Sequence, residues 1–174
     1  MYARTYGAAT MGVEGLLIDV EVDAASGMPG FEMVGMPDTL VREAKERVRT
    51  AIRNSGIVVN QEKVIVNLAP AAIRKESAGL DLPIAIALLA AGGVIGAECI
   101  GGYIFIGELS LEGRCRPVKG VLPMVIKAMD MGLKGVFLPQ ENVQEALLVK
   151  GIIVYGVRDL RQVVEHLQNS QLVQ

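Results

Sequence analysis

The sequence predicts an α+β domain, one mixed sheet with helices mainly on one of its faces. Three observations predict it. Residues 15–23 alternate with period two: Leu16, Ile18, Val20 and Val22 share one face, and Leu17, Asp19, Glu21 and Asp23 share the other, the pattern of a half-buried strand. In residues 38–55 the apolar positions Leu40, Val41, Ala44, Val48, Ala51 and Ile52 recur at helical spacing. Strand-like segments come first and then mix with helical ones, without strict βαβ alternation. At 174 residues and 51% hydrophobic content, the chain is long and apolar enough for one packed domain, and a disordered chain is excluded.

The elements follow in order. Residues 2–9 form a first strand and 15–23 a second. Residues 26–30 are a loop, and 31–34 a short strand that leads through Gly35-Met36-Pro37 into the helix. Asp38 is placed to cap that helix. Glu43 and Arg47 sit four apart in the favourable order, and Gly56 closes the helix in a left-handed conformation. Residues 63–68 are an apolar strand, expected to be buried on both faces. A polar loop over 70–80 ends at Asp81, which is placed to cap an almost wholly apolar helix over 82–91, with Pro83 in its tolerated first turn. Residues 103–109 and 113–118 read as two strands joined by a polar turn. A helix over 121–131, a strand over 136–138, a helix over 142–149, a strand over 152–157 and a helix over 159–167 complete the domain, placed at residues 1–168. Residues 169–174 read as the start of a linker.

Composition excludes several functions. The net charge is −2 and the pI is near 5.5, which rules out a globally basic nucleic-acid binder but not a local patch. Cys99 and Cys115 with the single His166 do not make a four-ligand zinc site. They suit a reduced, cytoplasmic setting. No signal peptide opens the sequence. The apolar stretch 82–97 is shorter than the ~20 residues needed to span a bilayer, so no membrane partner is expected.

No Gly-Lys pair exists, so there is no phosphate-binding loop, and no dinucleotide fingerprint follows a strand. His166, on an apolar-flanked helix, reads as a packing or surface residue. Charge is concentrated in residues 42–75, where eight basic and three acidic side chains give +5 against −2 for the whole chain. Arg42, Lys45, Arg49 and Arg53 form one helical stripe opposite the apolar face. It is either a solvated face with intrahelical ion pairs, a surface for an acidic protein, or a binding site for a phosphate backbone. No aromatic interleaves with these cations in the sequence, which argues against base stacking there. Ser77, in a loop before the apolar helix, is either a turn-capping hydroxyl or, given a base, a nucleophile.

Several segments together resemble a known family. They are Val34-Gly35-Met36-Pro37-Asp38 with Arg42-Glu43-Ala44-Lys45-Glu46-Arg47-Val48-Arg49; Asn67-Leu68-Ala69-Pro70-Ala71 with Arg74-Lys75-Glu76 and Asp81-Leu82-Pro83-Ile84-Ala85; and Gly107-Glu108-Leu109-Ser110-Leu111-Glu112-Gly113 with Arg116-Pro117-Val118. The sequence resembles the N-terminal domain of the magnesium-chelatase-like AAA+ ATPases, the YifB/ComM competence-protein family of bacteria. The resemblance implies a fold like the Lon protease domain, within the ribosomal protein S5 domain 2-like class. It implies a downstream AAA+ domain, absent from this chain, that carries ATP and Mg, and no cofactor or metal in this chain. It also implies a homo-hexamer acting on DNA in branch migration during natural transformation.

Lon uses a serine–lysine dyad. Ser77-Ala78-Gly79 is similar to its serine segment, but Leu122 falls at the lysine position, and a leucine accepts no proton. Lys119 is the nearest substitute base. The resemblance therefore implies a degenerate dyad and a non-catalytic domain, with Arg42, Lys45, Arg49, Arg53, Arg74 and Lys75 as DNA-binding candidates. A residual Lon-type serine hydrolase using Ser77 and a purely structural ring-packing domain are the alternatives.

Overall fold

The two longest strands organise the molecule. In the computed structural model, which describes residues 1–35, 38–59, 63–70 and 78–172, β1 (Tyr2–Met11) and β2 (Glu14–Ala25) pair antiparallel over the full length of β1. Along β2 the side chains of Ile18, Val20, Val22 and Ala24 are buried, while Asp19, Glu21 and Asp23 face the other way, as period two requires.

A seven-stranded mixed sheet grows on both sides of this hairpin. Beside β2 lies β4 (Lys63–Ala69), antiparallel to it, and beyond that the edge strand β3 (Gly30–Val34), parallel to β4. Beside β1 lie β5 (Tyr103–Phe105), β8 (Gly135–Pro139) and β9 (Ile153–Val157), each parallel to its neighbour. The order is β3-β4-β2-β1-β5-β8-β9. Two short strands, β6 (Glu108–Leu109) and β7 (Cys115–Arg116), form a separate antiparallel pair.

Helices α1 (Asp38–Asn54), α2 (Asp81–Ala91) and α5 (Leu160–Leu172) pack on one face, and α3 (Val121–Asp130) and the one-turn α4 (Val143–Ala146) pack on the other. The mixed α+β reading holds. The helices, however, divide three and two between the faces, and α1 joins parallel β3 and β4 as a βαβ unit that the element order did not suggest. All eleven residues of α2 are buried, so this helix is the centre of the main core. The two layers differ in what they bury: aliphatic side chains from β2, β4 and α2 on one side, and a smaller cluster of Ile104, Val121, Val125 and Val136 on the other.

Five local expectations are corrected. The strand over 103–109 breaks at Gly107, because the Gly107 N–H donates to the Gly79 carbonyl and the Gly107 carbonyl accepts from Leu82 N–H, both at 3.0 Å. Its backbone is thereby diverted from the sheet to the turn before α2. The strand over 113–118 is likewise reduced to β7. In β4 only Val64, Val66 and Leu68 are buried; Ile65, Asn67 and Ala69 are half-buried, since the described cluster on the second face includes no residue of β4. The helix over 142–149 shrinks to α4 after a 3-10 turn (Gln140–Asn142). Asn142 is buried and clamps Val118, accepting from its N–H and donating to its carbonyl, both at 3.0 Å. Finally, α5 runs to Leu172, into the segment read as linker, and Gln168 donates to the Val94 carbonyl at 2.9 Å.

Glycine is required at Gly35, where the chain turns out of β3 with φ +96°. A Cβ there would lie far inside van der Waals contact with the Leu68 carbonyl oxygen, so the turn also needs the absence of a side chain.

Candidate functional site

α1 is strongly two-sided. Ala44, Val48, Ala51 and Ile52 are buried against the sheet and α2. Arg42, Arg49 and Arg53 are exposed and Lys45 is half-buried. From Arg42 to Arg53 the stripe covers ~16 Å of helix axis at 1.5 Å per residue. The Asp38 capping expectation and the candidates Arg74, Lys75 and Ser77 lie outside the residues whose side chains are described.

Tertiary structure adds an aromatic to this stripe. Phe31 alternates inward on β3 with Met33, and the parallel register sets it beside Val64. Its ring lies under the α1 cations, 5.7 Å from Lys45 Nζ and 5.9 Å from the Arg49 guanidinium carbon, within cation–π range. The expectation that no aromatic accompanies these cations is therefore corrected. Phe31 is eleven residues from Arg42 in sequence, and only the β3–α1–β4 crossover brings the two elements together. The signal for it was the inward position of an aromatic on an edge strand.

Phe31 and the stripe border an open groove of about 580 Å³ between α1, β3 and residues 57–59. Phe31, Ile52, Val64 and Leu88 make its apolar floor, and Lys45, Arg49 and Arg53 stand on one wall. The groove offers an anionic ligand three cations and an apolar surface at once.

Arg47, on the same helix, is turned away from the stripe. Its guanidinium grips the Asp81 carboxylate with two bonds, Nε to Oδ2 at 2.7 Å and a terminal nitrogen to Oδ1 at 3.1 Å. Glu43, at 3.9 Å, is a secondary partner. Asp81 is 1% exposed and also accepts the Leu109 N–H at 3.1 Å. The expected capping role of Asp81 is thus corrected: it is the first residue of α2, no side chain caps that helix, and its carboxylate ties α1 to β6. Burial pushes its pKa up to about 6 despite Arg47, while the bond to Asp81 raises that of Arg47. Desolvation of the carboxylate outweighs the attraction because Arg47 reaches it from a partly solvated position. Arg47, Asp81 and Leu109 come from the three separate family-like segments, and their meeting was not visible in any one of them.

The position expected for a dyad lysine is apolar in its surroundings. Leu122 is half-buried in the first turn of α3 and packs against the smaller core. Its N–H donates to Glu145 Oε1 at 3.1 Å. Lys119 is exposed in the loop before Gly120. Burial pushes the Cys115 thiol up to about 12, so it is unsuited to nucleophilic chemistry. His166 packs edge-on to Phe137 at 5.5 Å, which fits a packing role. Among the described residues no three His, Cys, Asp or Glu side chains are grouped to hold a metal, and no helix is long and apolar enough to cross a membrane.

By fold and site, this is a mixed-sheet domain that presents a cationic helix beside an apolar groove. It belongs to the magnesium-chelatase-like family: the family model described as subunit ChlI of Mg-chelatase matches residues 20–142. YifB of Escherichia coli is 43% identical over 143 residues, covering 82% of this chain and 28% of YifB. The competence protein ComM of Haemophilus influenzae is 37% identical over 169 residues, covering 97% of this chain and 33% of ComM. A weaker similarity, 28% over 145 residues, links 78% of the chain to 18% of the Lon protease of Mycolicibacterium smegmatis. The chain spans about a third or less of the length of these curated relatives.

Proposed function

We propose that this chain is the non-catalytic N-terminal domain of a ComM-type AAA+ ATPase, with an S5 domain 2-like, Lon-protease-like fold over residues 1–168. In this reading it assists DNA binding or hexamer assembly in branch migration. ATP and Mg belong to a downstream AAA+ domain, and the setting is the cytoplasm. One observation carries the reading: in a chain of this family, α1 holds Arg42, Lys45, Arg49 and Arg53 on its outer face; the non-catalytic part is supported by Leu122, which stands where the resemblance to Lon would put a lysine. Four cations on one helix face suit a phosphate backbone, whose binding they drive by counterion release. Arg74 and Lys75 are further candidates for the same contact.

The test is binding of labelled single-stranded and branched DNA across a salt series. Changing Arg42, Lys45, Arg49 and Arg53 together to glutamine should weaken binding. It should also reduce the salt slope by roughly 0.7–0.9 per lost phosphate contact. Unchanged affinity and slope would reject the assignment and favour a ring-packing role without DNA.

The similarity to a Lon protease favours a second reading, a residual serine hydrolase using Ser77. A serine without an activating base is a weak nucleophile, and Lys119, the substitute candidate, is exposed. An active-site serine probe is expected to leave the chain unlabelled. Labelling that disappears in both Ser77→Ala and Lys119→Ala would establish the hydrolase instead.

A further inference from the structure

A phosphate backbone asks for cations and for nothing apolar. Yet the α1 cations border a cavity of about 580 Å³, within the size range of small-ligand sites. Three of the four stripe cations, Lys45, Arg49 and Arg53, stand on its wall, and Phe31 and Ile52 lie in its floor. A purely apolar ligand would leave those cations unanswered. A bare phosphate would leave the floor wet. A ligand with a flat, weakly polar body and an anionic end satisfies both.

Resting on the DNA reading above, we propose that the groove takes a single nucleotide unit, with its base against the floor at Phe31 and its phosphate against Lys45, Arg49 and Arg53. Two sources share this chemistry, a free nucleotide and a nucleotide within a single strand. A duplex offers neither, because its bases are paired and stacked. Arg42 decides for the strand. It is exposed seven residues before Arg49, ~10 Å along the helix, outside the cavity. A neighbouring phosphate of a strand reaches that far, and a mononucleotide does not.

The chain has no tryptophan, so Val58→Trp, at a groove position that is 79% exposed, supplies a sole tryptophan reporter, excited at wavelengths the tyrosines do not absorb. Oligothymidylate should quench it and bind about tenfold or more tightly than an abasic oligomer of the same length, since base stacking is worth roughly 5- to 150-fold per base. Thymidine monophosphate should quench only at much higher concentration. Quenching by the mononucleotide as readily as by the strand would overturn the strand as the source. If thymidylate and abasic oligomers bind alike, with a salt slope that still falls on neutralising the α1 cations, the groove assignment fails and the phosphate reading survives. If neither oligomer binds, both fail. Phe31→Leu should lower the thymine-over-abasic ratio while keeping apolar volume. The same two oligomers, end-labelled and followed by anisotropy on the wild-type chain, should show the same preference, so the decisive comparison rests on neither the introduced tryptophan nor the folding of a variant.

Discussion

Replacing Arg47 with methionine would leave a buried carboxylate without its cation. The guanidinium holds both oxygens of Asp81, at 2.7 and 3.1 Å. After its loss the 1%-exposed carboxylate would keep one described donor, the Leu109 N–H. Removing one partner of a buried pair costs about 3–5 kcal/mol. At this chain length each kcal/mol moves the melting temperature by roughly 2–4 °C, so a drop of roughly 6–20 °C is expected at pH 8. The loss should depend on pH in a definite direction. The folded-state pKa of Asp81, about 6, lies above its ordinary 3.8. Its proton therefore contributes stability that is complete below 3.8 and is lost as the pH rises through 6. Without Arg47 the pKa rises further, so the variant takes up its proton at higher pH, and its deficit should shrink by up to about 1.4 kcal/mol per pH unit between that raised pKa and about 6, below which both proteins gain alike. Thermal and urea unfolding of Arg47→Met and wild type at pH 5, 6.5 and 8, followed by circular dichroism, reads this directly. Adding Asp81→Asn should restore most of the stability, because the amide oxygen still accepts from Leu109 and no charge is buried. A deficit equal at pH 5 and pH 8, or no rescue by the second change, would refute the account.

Other outcomes follow from single contacts. Gly35→Ala should cost about 2–4 kcal/mol in urea unfolding, because positive φ and the Leu68 carbonyl both oppose a Cβ; a neutral result would mean that β3 shifts freely. Glu145→Ala removes the acceptor at the first turn of α3 and should cost about 1 kcal/mol, read by the same unfolding assay. In thiol labelling of the native chain, half-buried Cys99 should react well before buried Cys115, whose thiol is held far from ionisation. Equal rates would show that the β7 region opens readily.

The elements with a strong local signal were legible in the sequence. β2 shows in its alternation, α1 in its apolar stripe, and α2 in an unbroken apolar run closed by glycines. Each depends on residues within a few positions of one another, so periodicity suffices. The stripe cations were legible for the same reason. Asp81 shows the limit. An acid at the start of an apolar helix reads locally as a cap, but a guanidinium 34 residues away and a backbone amide 28 residues away compete for it and win. Gly107 is similar, since hydrogen bonds to the turn before α2 end a run that local pattern would continue.

The sequence by itself determined the buried faces of β2, α1 and α2, which helix face would be cationic, and that position 122 has no proton acceptor. Only the tertiary structure decided the strand order, the division of helices between two faces, the meeting of Arg47, Asp81 and Leu109, and the place of Phe31 beneath Lys45 and Arg49. The physical reason is range. Hydrophobic period and helix geometry act between near neighbours in the chain. Register, charge pairing in the core and the walls of a groove depend on which distant segments the sheet brings side by side.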